Sequence, residues 1–292
     1  MTMKAEPFVR GLNFGEGLRW HGGRFWYSDF FQYRVSSVGA DGHPRVELEI
    51  EDRPSGLGWL PNGQLLVVAM TSQRVLRRAP GGRAVLHADL KGTAKFHTND
   101  MIVDAHGNAF VGCFGFDIDA FIDEHGVAPL LAEPGPPKAP IMRVSASGKV
   151  GIASADHRFP NGMAIIGNTL VVAETVMPGF TAFDLLPDGT LANRRIWAAL
   201  PKEALTIAPD GICADSEGAI WAANAIGHEA VRIAPGGEIL ERVETSQFAY
   251  ACTLGGTDGR QLLIATAPTS NAGVASKQAN GILEIAQVRV PA

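Results

Sequence analysis

Short apolar runs recur along the chain at a near-regular interval, and each is answered by a second run across a turn. Six stretches share this layout. They read EGLRWHGGRFWYSD from Glu16, SGLGWLPNGQLLVVA from Ser55, NDMIVDAHGNAFVGC from Asn99, NGMAIIGNTLVVAE from Asn161, DGICADSEGAIWAAN from Asp210 and CTLGGTDGRQLLIAT from Cys252. Each opens on a small or polar residue, usually followed by Gly, and continues as a short strand. A turn such as Asn62-Gly63, His106-Gly107 or Glu217-Gly218 then leads into a run such as QLLVVA or AIWAA. Two short strands joined by turn residues are the signature of a β-hairpin. The six starts are 39, 44, 62, 49 and 42 residues apart, and a four-stranded propeller blade takes roughly 40–50 residues. Pieces such as RVSSV, RVLRRA, IMRVSA, TAFDLL, AVRIAP and GILEIA lie between the hairpins and complete the blades. The pattern predicts an all-β fold, a six-bladed β-propeller forming one domain over residues 1–292. No long stretch carries a helical apolar face; one short turn is expected around Pro201–Ile207. The interval after Cys113 is too long by about 15–20 residues, and a long loop on a compact scaffold is usually functional.

Composition narrows the function. With 46% hydrophobic and 19% charged residues, a sizeable core is available, and the 34 glycines and 18 prolines fall between the apolar runs. The net charge of −5 comes with no long basic run, which argues against nucleic acid or an anionic membrane as partner. No run of about 18 apolar residues suggests a membrane span. The opening MTMKAEPFVR lacks the apolar core of a signal peptide, and Cys113, Cys213 and Cys252 form no CxxC motif. Both point to free thiols in the cytoplasm.

In a propeller the blades surround a central channel, so equivalent repeat positions form a ring. The first residues of the repeats are Glu16, Ser55, Asn99, Asn161, Asp210 and Cys252. Four of them carry a carboxylate or amide. Each Asn-Gly or Asp-Gly pair alone reads as an ordinary turn, but every hairpin already has its own turn downstream. Two carboxylates and two amides suit a hard cation such as calcium, and Glu16 with Asp210 would balance a divalent charge. The absence of histidine from the ring argues against a structural zinc site. No GxSxG elbow, phosphate-binding glycine loop or HExxH motif is present.

At these residues the chain resembles the senescence marker protein/gluconolactonase-like family, which includes regucalcin and sugar lactonases. The resemblance runs over roughly residues 14–270 and rests on GEGLRW, TNDMIVDAHGNAFVG, FPNGMAI and APDGICADSEGAIWAAN, in that order. Diisopropyl fluorophosphatase is a more distant relative. The resemblance implies a hydrolase with one catalytic divalent metal, for which the family uses calcium, zinc, manganese or magnesium, and the all-oxygen ring favours calcium among them. It implies Glu16, Asn161 and Asp210 as metal ligands and Asn99 as a contact to metal or substrate. Where related sugar lactonases carry an arginine two residues before this Asn, the chain has His97, which weakens any transfer of sugar specificity. Phe114, Phe116 and Phe121 in the insertion, with Phe30, Phe31 and Phe180 elsewhere, suggest an apolar lid. His97, Asn99, Phe114 and Phe116 are the expected substrate contacts. The expected reaction is opening of a small lactone or ester, with Asp210 and Asn99 catalytic and Asp210 acting as base, water-orienting group or nucleophile. Asp100 is expected to face away. A phosphotriesterase-type reaction on the same ring and a non-catalytic binding propeller are the alternatives. A monomer or small homo-oligomer is expected.

Overall fold

The computed structural model describes residues 3–131, 134–176, 179–200 and 206–292. Six antiparallel sheets, each of four consecutive strands in space, are arranged around an axis. Their first strands are Gly15–His21, Pro54–Trp59, Thr98–Val103, Pro160–Ile166, Pro209–Ala214 and Phe248–Gly255. These touch one another in succession, and the sixth returns to the first. The chain is a six-bladed propeller.

The blades are buried on both faces, which explains why their second strands read as continuous apolar runs rather than alternating ones. LLVVA (Leu65–Ala69), AFVGC (Ala109–Cys113) and IWAAN (Ile220–Asn224) are buried at every position. One apolar cluster fills each gap between blades. Leu66, Val75, Met101 and Met142 lie between the second and third. Phe110, Met163 and Phe183 lie between the third and fourth, and Leu18, Phe25, Leu263 and Leu283 between the sixth and first.

The ring is closed by the N-terminus. Strand Glu6–Leu12 pairs antiparallel with Gly281–Gln287 and completes the sixth blade, so its four strands come from both ends of the chain. Met3–Lys4 adds a fifth, parallel strand to the fifth blade beside Ile239–Glu244. Strand Glu6–Leu12 covers the edge that Gly281–Gln287 would otherwise expose and ties the two ends of the chain into one blade.

Two expectations change. The insertion after Cys113 is not all loop: it holds a helix, Ile118–His125, capped by the Asp117 side chain accepting from the Ala120 N–H, and a 3-10 turn, Ala128–Leu131. Phe180 is not at the mouth. It lies in strand Gly179–Leu185, buried against Trp197 and the core between the fourth and fifth blades. The short turn expected at Pro201–Ile207 falls mostly on 201–205, outside the described residues. Among the described residues no helix is long and apolar enough to cross a membrane. The three cysteines are free.

Candidate metal centre

The six first strands share one irregularity. In every blade the pairing of first and second strand slips near the tunnel mouth: at Glu16/Arg19, Pro54/Leu57, Thr98/Met101, Pro160/Met163, Pro209/Ile212 and Ala249/Ala251. A β-bulge leaves a residue unpaired and re-aims its side chain. The first unpaired residue of the bulge is Ser55, Asn99, Asn161 and Asp210 in the second to fifth blades and Tyr250 in the sixth, and in the first blade Glu16 is the last paired residue before it. The sixth member of the ring is therefore Tyr250, not Cys252. The last bulge is shorter by one residue than those of the second to fifth blades, so counting from the apolar run overshoots. Cys252 lies in the core and donates its thiol to the carbonyls of Gly211 and Trp221, each at 3.4 Å.

Glycine follows the ring residue in four blades because the first strands nearly touch. A Cβ on Gly17 would run into the Ser55 carbonyl, one on Gly56 into Met101 N, and one on Gly162 into the Asp210 carbonyl. The third blade places Asp100 at this position instead, and Gly112 on its second strand supplies the clearance against the Pro160 carbonyl. Asp100 does not face away: two adjacent residues of the bulge both lose the usual alternation. Its carboxylate is buried, and its charge is felt by both Glu16 and Asp210.

A directional chain of hydrogen bonds ties three ring residues together and runs on to the first strand of the fifth blade. The Ser55 hydroxyl donates to Asn99 Oδ1 (3.0 Å), and Asn99 Nδ2 donates to Asn161 Oδ1 (2.8 Å). Asn161 Nδ2 donates to Thr175 Oγ1 (3.1 Å), whose hydroxyl donates to the Pro209 carbonyl (2.8 Å). Because Thr175 spends its proton on Pro209, its oxygen accepts from Asn161, which orients that amide. Asn161 also bonds the Asp210 carboxylate. Glu16 accepts from the Gly17 N–H at 3.0 Å.

The electrostatics are those of an uncompensated anionic pocket. Burial, then the charges of Asp210 and Asp100, push the Glu16 carboxyl well above its ordinary range. Burial and Asp100 do the same to Asp210, against the opposing bond from Asn161. Burial raises Asp100, with Arg19 pulling the other way. Tyr250 is pushed up to about 12, first by burial and also by Asp210 and Glu16. Arg19 fixes its guanidinium on the carbonyls of Leu18 and Met101. One carboxylate oxygen each of Asp100 and Asp210 is buried and accepts no hydrogen bond from a described residue.

These observations test whether a cation fits. Buried charge without a partner is costly. Three ionised carboxylates and one guanidinium leave a charge of −2, which a divalent ion would neutralise. Among the described residues no three His, Cys, Asp or Glu side chains form a cage by themselves, so the amides of Asn99 and Asn161 would have to take part. All donors are oxygens, as a hard cation prefers. The residues fit the group.

Above the ring the mouth is aromatic. Phe14 lies 4.7 Å from Tyr250 and 5.2 Å from Phe30, between ring centroids. Phe114 lies 4.4 Å from Phe159, and Phe116 packs on Phe121. His97 stacks on Phe96 at 4.1 Å and meets Phe114 edge-on. Burial, and secondly Arg53, lower the His97 pKa, so the ring is neutral at pH 7. A cavity of about 540 Å³ lies elsewhere, at the far ends of the first two blades' inner strands, around His21, Trp26 and Trp59. Its one buried acid, Glu47, is satisfied by Ser37, Arg45 and Arg78, so it lacks the unmet charge of the tunnel.

Residues 14–268 match the model of the SMP-30/gluconolactonase/LRE-like region. The chain belongs to this family. Solved structures of similar fold include a gluconolactonase from Xanthomonas campestris, at 23% identity over 98% of this chain and 89% of that one, TM-score 0.74. A luciferin-regenerating enzyme matches at 17% identity over 98% and 96%, TM-score 0.79. Regucalcin from Agrobacterium tumefaciens, a calcium-binding protein, matches at 18% identity over 100% and 98%, TM-score 0.75. At these identities the likeness establishes the propeller, and the chemistry rests on the side chains of the SMP-30/gluconolactonase/LRE-like ring itself.

Proposed function

We propose that the chain is a divalent-metal-dependent hydrolase that opens a small lactone. The observation that carries this reading is the buried, unpartnered carboxylate oxygen of Asp210 beside Glu16 and Asp100, on a ring of the lactonase family type. Glu16, Asn161 and Asp210 would hold the ion, with Asn99 beside it; calcium suits the all-oxygen set best. When bound, such a cation polarises an ester carbonyl and makes a water acidic near neutral pH.

The protein's own groups supply the rest. Asn99 Nδ2 spends one hydrogen on Asn161 and has a second for the substrate carbonyl oxygen, where negative charge develops. Asp210 orients the attacking water and takes its proton. Water adds its oxygen to the carbonyl carbon, the ring C–O bond breaks, and the proton held at Asp210 passes to the departing alkoxide. The product is the open hydroxy acid. Tyr250 keeps its proton throughout the working pH range and fills the sixth ring position. His97, neutral and half-buried among Phe96 and Phe114, lines the mouth on the substrate side, with Phe114 and Phe116 as apolar walls.

The test is hydrolysis of a lactone panel by the metal-depleted protein, before and after adding back calcium, zinc, manganese or magnesium. Turnover is expected only with metal, and Glu16→Gln or Asp210→Asn should lower it by about 10³-fold or more. Undiminished turnover after complete metal removal would overturn the assignment. Binding of metal without turnover of any ester would favour a non-catalytic propeller. A preference for organophosphates over lactones would favour the phosphotriesterase reading.

A further inference from the structure

The residues two positions before each ring member form an upper tier at the mouth: Phe14, Arg53, His97, Phe159, Ala208 and Phe248. Four of the six are apolar. Their contacts join across the opening. Phe14 packs with Tyr250 and Phe30 on the side of the first and sixth blades, and Phe248 adds to that group. Phe159 packs with Phe114 and Phe116 on the opposite side, backed by Leu130 and by Phe121 of the insertion helix. Phe114 belongs to both groups and bridges them. The polar members sit together in one sector. Arg53 lays its guanidinium 4.9 Å from the centroid of Phe31, and His97 stacks on Phe96.

Two mouth aromatics are held in a costly backbone. Phe96 and Phe159 adopt φ of 59° and 57°, a left-handed conformation that bulky L-residues avoid. Such strain persists where the surrounding structure imposes it, and it clusters at functional sites.

We propose that the substrate is a lactone with a flat or branched apolar body, seated against Phe14, Phe114 and Phe159, rather than a polyhydroxylated sugar lactone. The proposal rests on the lactonase reading above and specifies it. A sugar lactone presents a hydroxyl on nearly every carbon, and each one buried against phenylalanine loses its water without a partner. An apolar body gains from the same walls. The polar sector of Arg53 and His97 leaves room for few acceptor oxygens.

The experiment compares kcat/KM of the metal-loaded protein for dihydrocoumarin, γ-nonalactone, δ-valerolactone and D-glucono-δ-lactone. The apolar pair should exceed gluconolactone by about tenfold or more, the discrimination that pocket contacts of this kind provide. Phe159→Gly removes a buried ring but also relieves the positive φ, which offsets part of the lost packing, and a melting curve checks that the variant is folded. It should lower kcat/KM for dihydrocoumarin by about tenfold, chiefly through KM, and lower that for the smaller δ-valerolactone by a clearly smaller factor. Preference for gluconolactone, or equal loss on both test substrates in the folded variant, would overturn the proposal and leave the lactonase reading intact. No turnover of any of the four lactones with metal present would remove both.

Discussion

If the ring exists to hold a cation, it must weaken the protein when the cation is gone. Asp210→Asn in metal-depleted protein isolates that effect. The wild-type carboxylate is buried, has one unpartnered oxygen and is repelled by Asp100. Leaving such a group unsatisfied costs about 1–3 kcal/mol, more when it is charged. The amide keeps an acceptor toward Asn161 and removes the charge, so a gain of about 2 kcal/mol is expected at alkaline pH. For a chain of this length that is about 3 °C in Tm, from about 2 cal/mol/K of unfolding entropy per residue. The sign follows from linkage. Burial and Asp100 raise the folded-state pKa of Asp210 above its unfolded value. The folded state therefore holds the proton longer. The wild-type protein keeps its full stability below the unfolded carboxylate pKa, about 3.9, and loses this contribution as pH rises through the raised folded value. Urea unfolding in the presence of a chelator at pH 5 and pH 8.5 reads the difference. The variant should be the more stable at pH 8.5, with the gap narrowing toward pH 5. A variant less stable at pH 8.5, or a gap independent of pH, would refute the reasoning.

Three further outcomes are expected. Thr175→Val removes the hydroxyl that orients Asn161 and should weaken metal binding by about tenfold in calorimetry, the usual scale for a group that orients a ligand, with the fold retained by circular dichroism. Gly162→Ala places a Cβ against the Asp210 carbonyl and Ile212 N and should destabilise by about 1–3 kcal/mol, as overpacking does, in chemical denaturation. Glu174 is pushed up by burial but held below its ordinary pKa overall by His157, the Arg158 N–H and Thr181. Its contribution is present above the unfolded glutamate pKa and lost as pH falls through the depressed folded value. Glu174→Gln should therefore cost about 1–3 kcal/mol at pH 7 and flatten the acid limb of the stability curve.

Much of the architecture is legible in the sequence because the blades are copies. The spacing of the hairpins, the turn pairs and the doubly buried runs such as LLVVA and IWAAN each report a blade, and the oxygen-bearing residues recur at one register. What escapes that reading has identifiable causes. Alternation assigns Asp100 to the far side of its strand, but a bulge breaks alternation at that point. Repeat alignment selects Cys252 because the apolar run resumes there, whereas the sixth bulge is shorter and presents Tyr250. The insertion helix Ile118–His125 has eight residues and buries none of them, so it carries little periodic signal. Strand Glu6–Leu12 has its partners at Gly281–Gln287, a pairing across almost the whole chain that no local pattern encodes. Thr175 follows the second strand of its blade, where the other blades carry Phe30, Met70, Phe114 and Ala225, and only the hydrogen bonds reveal that it sets the Asn161 amide.

The account depends on Glu16, Asn161 and Asp210 sharing one cation. Calorimetric titration of calcium into the chelator-treated protein, run in parallel with Glu16→Gln and Asn161→Ala, addresses that directly. One ion per wild-type chain, with binding lost in both variants, is the predicted result. Saturable binding that survives both substitutions would place the ion elsewhere and contradict the account.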